Sequence, residues 1–209
     1  MFVTFEGPEG SGKTTQIRFL HDALSKSGVP VLATREPGGT SVGDQIRKIL
    51  LDGDNRDMVP VCELLLYWAA RAQHVEEVIR PALGSRKLVL CDRYTDSTIA
   101  YQGFARGIDF GSLSDLDRIA TQNLKPDLTL LFDLPVEVGL ARAHGRMQGQ
   151  TGAAREDRFE NEKLEFHRKV RDGFLELAKC EPGRFVVLDA TLDHQVLHAQ
   201  VLKIVSDAL

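Results

Sequence analysis

Gly7-Pro8-Glu9-Gly10-Ser11-Gly12-Lys13-Thr14-Thr15 follows directly on the apolar run Met1–Phe5 and leads into a helix-like stretch from Thr15 to Ser25. It fits the pattern G-x-x-x-x-G-K-[ST], with Gly7, Gly12, Lys13 and Thr14 at the fixed places. Glycines let successive backbone N–H groups turn inward around phosphate oxygens, and the helix that follows adds its positive N-terminal end. In this pattern Lys13 reaches the terminal phosphates and the Thr14 hydroxyl helps hold Mg²⁺. The flanking strand and helix are the context the pattern requires. The stretch therefore specifies a nucleoside triphosphate site rather than a bare glycine turn.

Outward from that loop, short apolar runs alternate with longer helix-like stretches. The strand candidates are Phe2–Phe5, Val29–Ala33, Lys87–Cys91, Asp127–Phe132 and Arg184–Leu188. Near-continuous apolar runs of this length suit strands buried on both faces of a parallel sheet. Helical patterns lie near 14–26, 41–51, 60–82, 112–123, 136–147, 158–179 and 193–208, with Pro60 and Pro135 at helix starts and Gly28 and Gly183 after helix ends. This rhythm predicts an α/β fold, a five-stranded parallel sheet with helices on both faces. Ligands then gather at the carboxyl ends of the strands.

The 209 residues read as one domain, 1–209. The one composition shift, Arg142 to Arg158, is rich in Gly, Gln, Ala and Arg and reads as a mobile lid near 142–158. A net charge of −4 gives no basic field for nucleic acid or an acidic membrane. No apolar run approaches the roughly 20 residues of a membrane helix. Glu6 and Glu9 sit where a signal peptide would continue its apolar core. Cys62, Cys91 and Cys180 are odd in number and widely spaced, which points to a reduced, cytoplasmic setting.

Other constellations narrow the chemistry. Arg35-Glu36-Pro37-Gly38-Gly39-Thr40 makes a tight turn at the end of the second strand, where the bland reading is a solvated loop with a surface ion pair. Cys91-Asp92-Arg93-Tyr94 ends the third strand: Asp92 can place a metal-bound water and Arg93 offers a planar fork to phosphate, or the two form a structural salt bridge. Ser97-Thr98-Ile99-Ala100-Tyr101-Gln102 packs hydroxyls, a ring and an amide suited to a base edge and a sugar.

On the helix around residues 64–71, Tyr67 and Arg71 share a face, with His74 one position round. Leu64, Trp68, Val75 and Val78 form the neighbouring apolar stripe, read as core or a subunit contact. Arg142, Arg146, Arg155 and Arg158 supply guanidinium groups for a transferring phosphoryl, as an arginine finger in cis, or merely line a solvated hairpin. His194 and His198 have zinc-pair spacing but no third ligand nearby, and Glu160, Glu162 and Glu165 read as a solvated helix face.

Taken in order, Phe5-Glu6-Gly7 with the loop, Arg35-Glu36-Pro37-Gly38-Gly39, Asp92-Arg93-Tyr94, Ala100-Tyr101-Gln102 and Asp157-Arg158-Phe159-Glu160 resemble the bacterial type of thymidylate kinase, over nearly the whole chain. The resemblance implies a P-loop nucleoside monophosphate kinase-like fold and transfer of the γ-phosphoryl of ATP to dTMP with Mg²⁺. It implies that Gly7, Pro8, Glu9, Gly10, Ser11, Gly12, Lys13, Thr14 and Thr15 bind ATP, with Arg142 over the adenine, and that Thr14 and Asp92 place the metal. Glu9 would lie by the acceptor sugar, and Arg35, Arg47 and Arg93 near its phosphate, with Glu36 in the same site. Tyr67 would stack on thymine, Arg71 bond a ring carbonyl, Thr98 and Gln102 meet the base edge, and Tyr101 sit under the sugar. Lys13 and Arg93 would act in catalysis. A homodimer is implied too.

Two departures stand out. The stacking position is usually phenylalanine in the family and is Tyr67 here, whose hydroxyl needs a partner. The loop also lacks the basic residue some relatives carry, which leaves the catalytic arginine to the lid, as Arg146 or Arg155. The residue inventory agrees with phosphoryl transfer to a phosphate. A monoester has a second pKa near ~6 and is mostly dianionic at neutral pH, so it needs alignment and charge cancellation rather than a general base. A kinase for UMP, CMP or GMP is the alternative within the class. A nucleotide-gated switch would need N-K-x-D and D-x-x-G strings, and neither occurs.

Overall fold

Phe2–Glu6 forms the central strand β1 of the computed structural model, which describes residues 1–148, 158–159 and 161–209, with the side chains of 146–148 outside the description. The other strands are β2 (Val31–Arg35), β3 (Leu88–Asp92), β4 (Leu128–Asp133) and β5 (Phe185–Asp189). All pair in parallel, in the order β2-β3-β1-β4-β5. The α/β sheet predicted from the alternating runs is the one observed.

Residue alternation along the strands assigns the two faces. Val3, Phe5, Leu90, Leu130 and Phe132 point to a cluster with Ile17 and Leu20 of α1 (Lys13–Lys26) and with Leu197, Val201 and Val205 of α9 (His194–Ala208). On the other face, Leu131 and Phe185 pack with Phe166, Val170 and Phe174 of α8 (Leu164–Cys180). Phe2 and Val89 meet Val75 and Ile79, in a π-helical turn (Val75–Ile79) that continues α3 (Pro60–His74). Each fully buried Phe or Leu contributes about 1.5–3 kcal/mol, so both layers anchor the central strand firmly.

Further helical segments connect these elements. They are α2 (Ser41–Leu51), α4 (Arg80–Gly84), α5 (Thr95–Thr98) running into a π-helical segment (Ile99–Ala105), α6 (Phe110–Thr121) and α7 (Val136–Gln148). Thr40 caps α2, its hydroxyl accepting from the Gly43 N–H at 2.9 Å, and Pro60 opens α3 as its position suggested.

Four differences from the sequence reading have physical causes. β2 starts two residues late because Gly28 and Val29 donate their N–H groups back to Ser25 and Leu24, closing α1. Its extra rung, Arg35, pairs in register with Asp92. The helix expected over 158–179 begins at Leu164, after a turn that includes Phe159 and Asn161. The segment 95–105 is helical where no helix was expected, because its buried face is polar and shows no apolar period. No described helix is long and apolar enough to cross a membrane.

Candidate active site

The loop after β1 is shaped by its backbone. Gly7, Gly10 and Gly12 have φ of 140, 70 and 87°, conformations that glycine adopts without a Cβ penalty. A Cβ on Gly10 would lie 2.0 Å from the Gly139 carbonyl oxygen, so the loop rests directly on the first turn of α7. Lys13 Nζ donates to Gly7 O at 3.0 Å, Pro8 O at 2.9 Å and Ser11 Oγ at 3.0 Å. Burial and the neighbouring Arg93 charge pull the Lys13 ammonium down to about 8. Thr14 Oγ1 donates to Asp92 Oδ2 at 2.6 Å, which brings together two hard oxygen ligands, one from the first turn of α1 and one from the end of β3.

Arg93 joins the loop to a cleft beside it. It takes a positive φ of 68° at the end of β3. Its Nη1 donates to Gly7 O at 3.0 Å and Ser97 Oγ at 3.1 Å, and its Nη2 to Glu9 Oε1 at 3.0 Å. Tyr101 Oη donates to that same Glu9 oxygen at 2.7 Å, and the guanidinium lies 5.1 Å from the Tyr101 ring centre. Burial alone would raise the Glu9 carboxyl, but the Arg93 and Lys13 charges and the Tyr101 hydroxyl bring it down to about 2. The seam between loop and cleft is thus a fixed arrangement of opposite charges.

The cleft itself is lined by Glu9, Glu36, Pro37, Arg47, Leu51, Tyr67, Arg71, Arg93, Ser97, Thr98, Tyr101, Gln102 and Phe159, with about 690 Å³ of unfilled space partly open to solvent. At its closed end Arg71 is 2 % exposed and held on three sides. Its Nε donates to Glu36 Oε2 at 2.6 Å, Nη1 to Thr98 Oγ1 at 2.9 Å and Nη2 to Tyr94 O at 2.9 Å. A guanidinium has five N–H donors, so two remain for a ligand. His74 braces Glu36 from behind, Nδ1 at 2.9 Å from Oε1, with its Nε2 2.6 Å from Thr34 Oγ1. Burial would raise Glu36, yet Arg71 and His74 hold it below the usual carboxylate range.

Beneath this floor Glu6 accepts from the Tyr94 N–H at 2.7 Å and the Ser97 N–H at 3.3 Å, with Ser97 Oγ 2.5 Å from its other oxygen. Complete burial and the Asp96 charge push the Glu6 carboxyl up to about 8. Arg184 in turn neutralises Asp96 from 2.7 and 3.0 Å.

Most of the residues singled out from sequence therefore converge: Glu9, Glu36, Arg47, Tyr67, Arg71, Arg93, Thr98, Tyr101 and Gln102 all line the cleft. Arg35 does not; its side chain is 58 % exposed and 3.8 Å from Asp44. Arg142, on α7, reaches to the residue after β5, Nη1 donating to Ala190 O at 2.9 Å. Arg146 is in α7 with its side chain outside the description, and Arg155 and residues 149–157 lie outside the described residues. Leu64, Trp68 and Val75 are core residues of the chain, at 3, 4 and 1 % exposure. His198 packs edge-on against Phe19, and His194 lies beside Gly12. Glu160 is outside the described residues, while Glu162 pairs with Arg106 at 2.6 Å rather than standing free in solvent.

Sequence reasoning passed over Glu63, Arg106 and Glu6. Glu63 had a usable signal: Glu63, Tyr67 and Arg71 are spaced by four and share one helix face. Tyr67 Oη makes no hydrogen bond among the described residues, and its ring lies 6.4 Å from that of Phe159.

Comparison with known proteins places this geometry. The family described as thymidylate kinase matches residues 5–201. The thymidylate kinase of Geotalea uraniireducens (strain Rf4) is 57% identical over 200 residues, covering 96% of this chain and 93% of that one. That of Trichlorobacter lovleyi is 54% identical over 209 residues, covering 100% and 96%. The crystal structure of thymidylate kinase from Ehrlichia chaffeensis superposes with a TM-score of 0.78 at 35% identity, covering 98% of each chain.

Proposed function

The chain belongs to the thymidylate kinase family, and we infer that it is an enzyme that transfers the γ-phosphoryl group of ATP to dTMP, giving ADP and dTDP. The observation that carries this reading is the cleft running from Arg93 and Glu9, at the phosphate loop, to Arg71, Thr98 and Gln102 beneath Tyr67. It supplies a phosphate end, a sugar seat and a base end in the order of a nucleotide.

The residues divide the work. Gly7 to Thr15 cradle the donor phosphates with backbone N–H groups, and the three loop oxygens on Lys13 give way to phosphate oxygens. Thr14 and Asp92 fit a Mg²⁺ ion, since both offer hard oxygens at the loop's mouth. When bound, that ion neutralises phosphate charge. Arg93 and Arg47 align the acceptor phosphate, already dianionic at neutral pH, so that no base is required. Glu9 and Tyr101, locked together, leave little room for a ribose 2′-hydroxyl. Arg146 or Arg155, from a lid over 142–158, supplies charge to the transition state, and Arg142 covers the adenine.

Two further readings go with this one. Val59 just before α3 and Val61 and Leu65 on it, with Val42 and Ile49 on the adjoining α2, are 47–61 % exposed, an apolar face suited to a homodimer; sedimentation velocity distinguishes dimer from monomer. The thiols of Cys62, Cys91 and Cys180 are all free, consistent with a cytoplasmic enzyme.

Coupled ADP release measured with dTMP, UMP, CMP and GMP tests the function. Turnover with dTMP well above the others is expected. Background rates with dTMP, or preference for a ribonucleotide, would reverse the reading.

A further inference from the structure

Gln102 stands at the closed end of the cleft, 1 % exposed, and its amide nitrogen donates to Glu63 Oε1 at 2.7 Å. Glu63 is itself 1 % exposed, on the helix face that also carries Tyr67 and Arg71. Two guanidinium groups converge on its other oxygen. Arg106 Nη2 donates from 3.3 Å, and Arg158 Nη2 lies at 2.6 Å as a charge contact without a well-aligned hydrogen bond. Arg106 Nε also reaches Oε1 at 3.4 Å, and Glu162 caps Arg106 from outside at 2.6 Å.

Both Glu63 oxygens accept from N–H donors, Oε1 from Gln102 and Arg106 and Oε2 from Arg106. An amide is asymmetric, with its donor on one arm and its acceptor on the other. Glu63 therefore decides which way round Gln102 sits: nitrogen toward α3, carbonyl oxygen left over. Among the described residues nothing hydrogen-bonds to that oxygen, and Gln102 lines the cleft. Arg71, with two N–H donors unused among the described residues, lines the same cleft.

We propose that Glu63 is a positioning residue for base discrimination: by fixing the Gln102 amide, it makes the cleft end read as donor at Arg71 and acceptor at Gln102. This pattern fits a pyrimidine with a carbonyl at C4 and an N–H at N3. It opposes one with an amino group at C4 and a bare N3, which would set donor against donor and lone pair against lone pair. The proposal rests on the dTMP reading and adds what holds the Gln102 amide in the orientation that meets the base. Arg158 and Phe159 strengthen it, since one two-residue segment both charges Glu63 and closes the cleft wall, the Phe159 ring standing 5.6 Å edge-on to Tyr101.

The test replaces Glu63→Gln in the full chain, which keeps the shape but lets residue 63 donate as well as accept, so that Gln102 is free to turn over. Discrimination is the ratio of the dCMP inhibition constant to the dTMP KM. The Glu63→Gln ratio is expected to fall at least ~10-fold, with dTMP kcat/KM down roughly 10- to 100-fold, mainly through KM, and ATP KM unchanged. In a Gln102→Ala background the same substitution should leave the ratio unmoved, because Glu63 acts through that amide. An unchanged ratio in the single variant, or an equal fall in both backgrounds, overturns the proposal. If the Glu63→Gln chain does not fold, Glu63→Asp, which withdraws the carboxylate from the amide, is measured with the same two criteria. Wild-type protein inactive on dTMP would sink the functional reading instead, and is seen before any variant is made.

Discussion

The phosphate loop at Gly7–Thr15 and the cleft beside it meet at Arg93, but they are built from different materials. The loop is a backbone device. Its glycines take positive φ, and Gly10 sits where a Cβ would strike Gly139. The cleft is a side-chain device. Arg71, Glu36, His74, Thr98, Glu63 and Gln102 are nearly all buried and hold one another in chains of charge-assisted bonds. Any triphosphate suits the first arrangement. The second is selective because a wrong partner leaves buried donors or acceptors unpaired.

The largest way to break that division is at the loop. Gly10→Ala places a Cβ at φ 70° and 2.0 Å from Gly139 O, so the loop or α7 must shift. kcat/KM for ATP is expected to fall at least ~100-fold, the cost of misplacing phosphate contacts by about an ångström. Calorimetric binding of dTMP should stay within about threefold of wild type. If dTMP binding collapses as well, the two regions are not separable.

A smaller effect sharpens the other side. Glu6 supports the floor of the cleft, and its carboxyl, raised to about 8, holds a proton in the native state more tightly than in the unfolded chain. Stability from this group is therefore fully present below about 4.5 and is lost as pH rises through about 8. Glu6→Gln, which mimics the protonated form, should raise Tm by roughly 2–8 °C at pH 9 and by almost nothing at pH 5. Thermal melts across that range decide it; a constant offset would mean that Glu6 is not the titrating group.

The same division explains what was legible in the sequence. The loop, the five strands and the long amphipathic helices follow from glycine spacing and apolar periodicity, which are local. Tyr67 and Arg71 were visible because they lie four apart on one helix. Glu63 lies on that face too, but its meaning depends on Gln102, Arg106 and Arg158, which come from far along the chain. The helix over 95–105 was missed for a related reason. Its inward side carries Asp96, Ser97, Thr98 and Gln102, satisfied by Arg184, Glu6, Arg71 and Glu63, so no apolar stripe announces it. Arg35 adjoins Glu36 in sequence, but β2 ends at Arg35 and its side chain lies out by Asp44, apart from the residues that line the cleft. Sequence periodicity records burial of apolar groups; a buried polar network leaves no such trace.

Isothermal titration of dTMP, and separately dCMP, into the full chain without ATP tests most directly whether side chains of the cleft choose the acceptor. With the cleft's contacts already formed, dTMP should bind one site per chain, with Kd between about 1 μM and 1 mM, and dCMP at least ~100-fold more weakly. Equal affinity for the two, or dTMP binding only once ATP is present, would contradict the account.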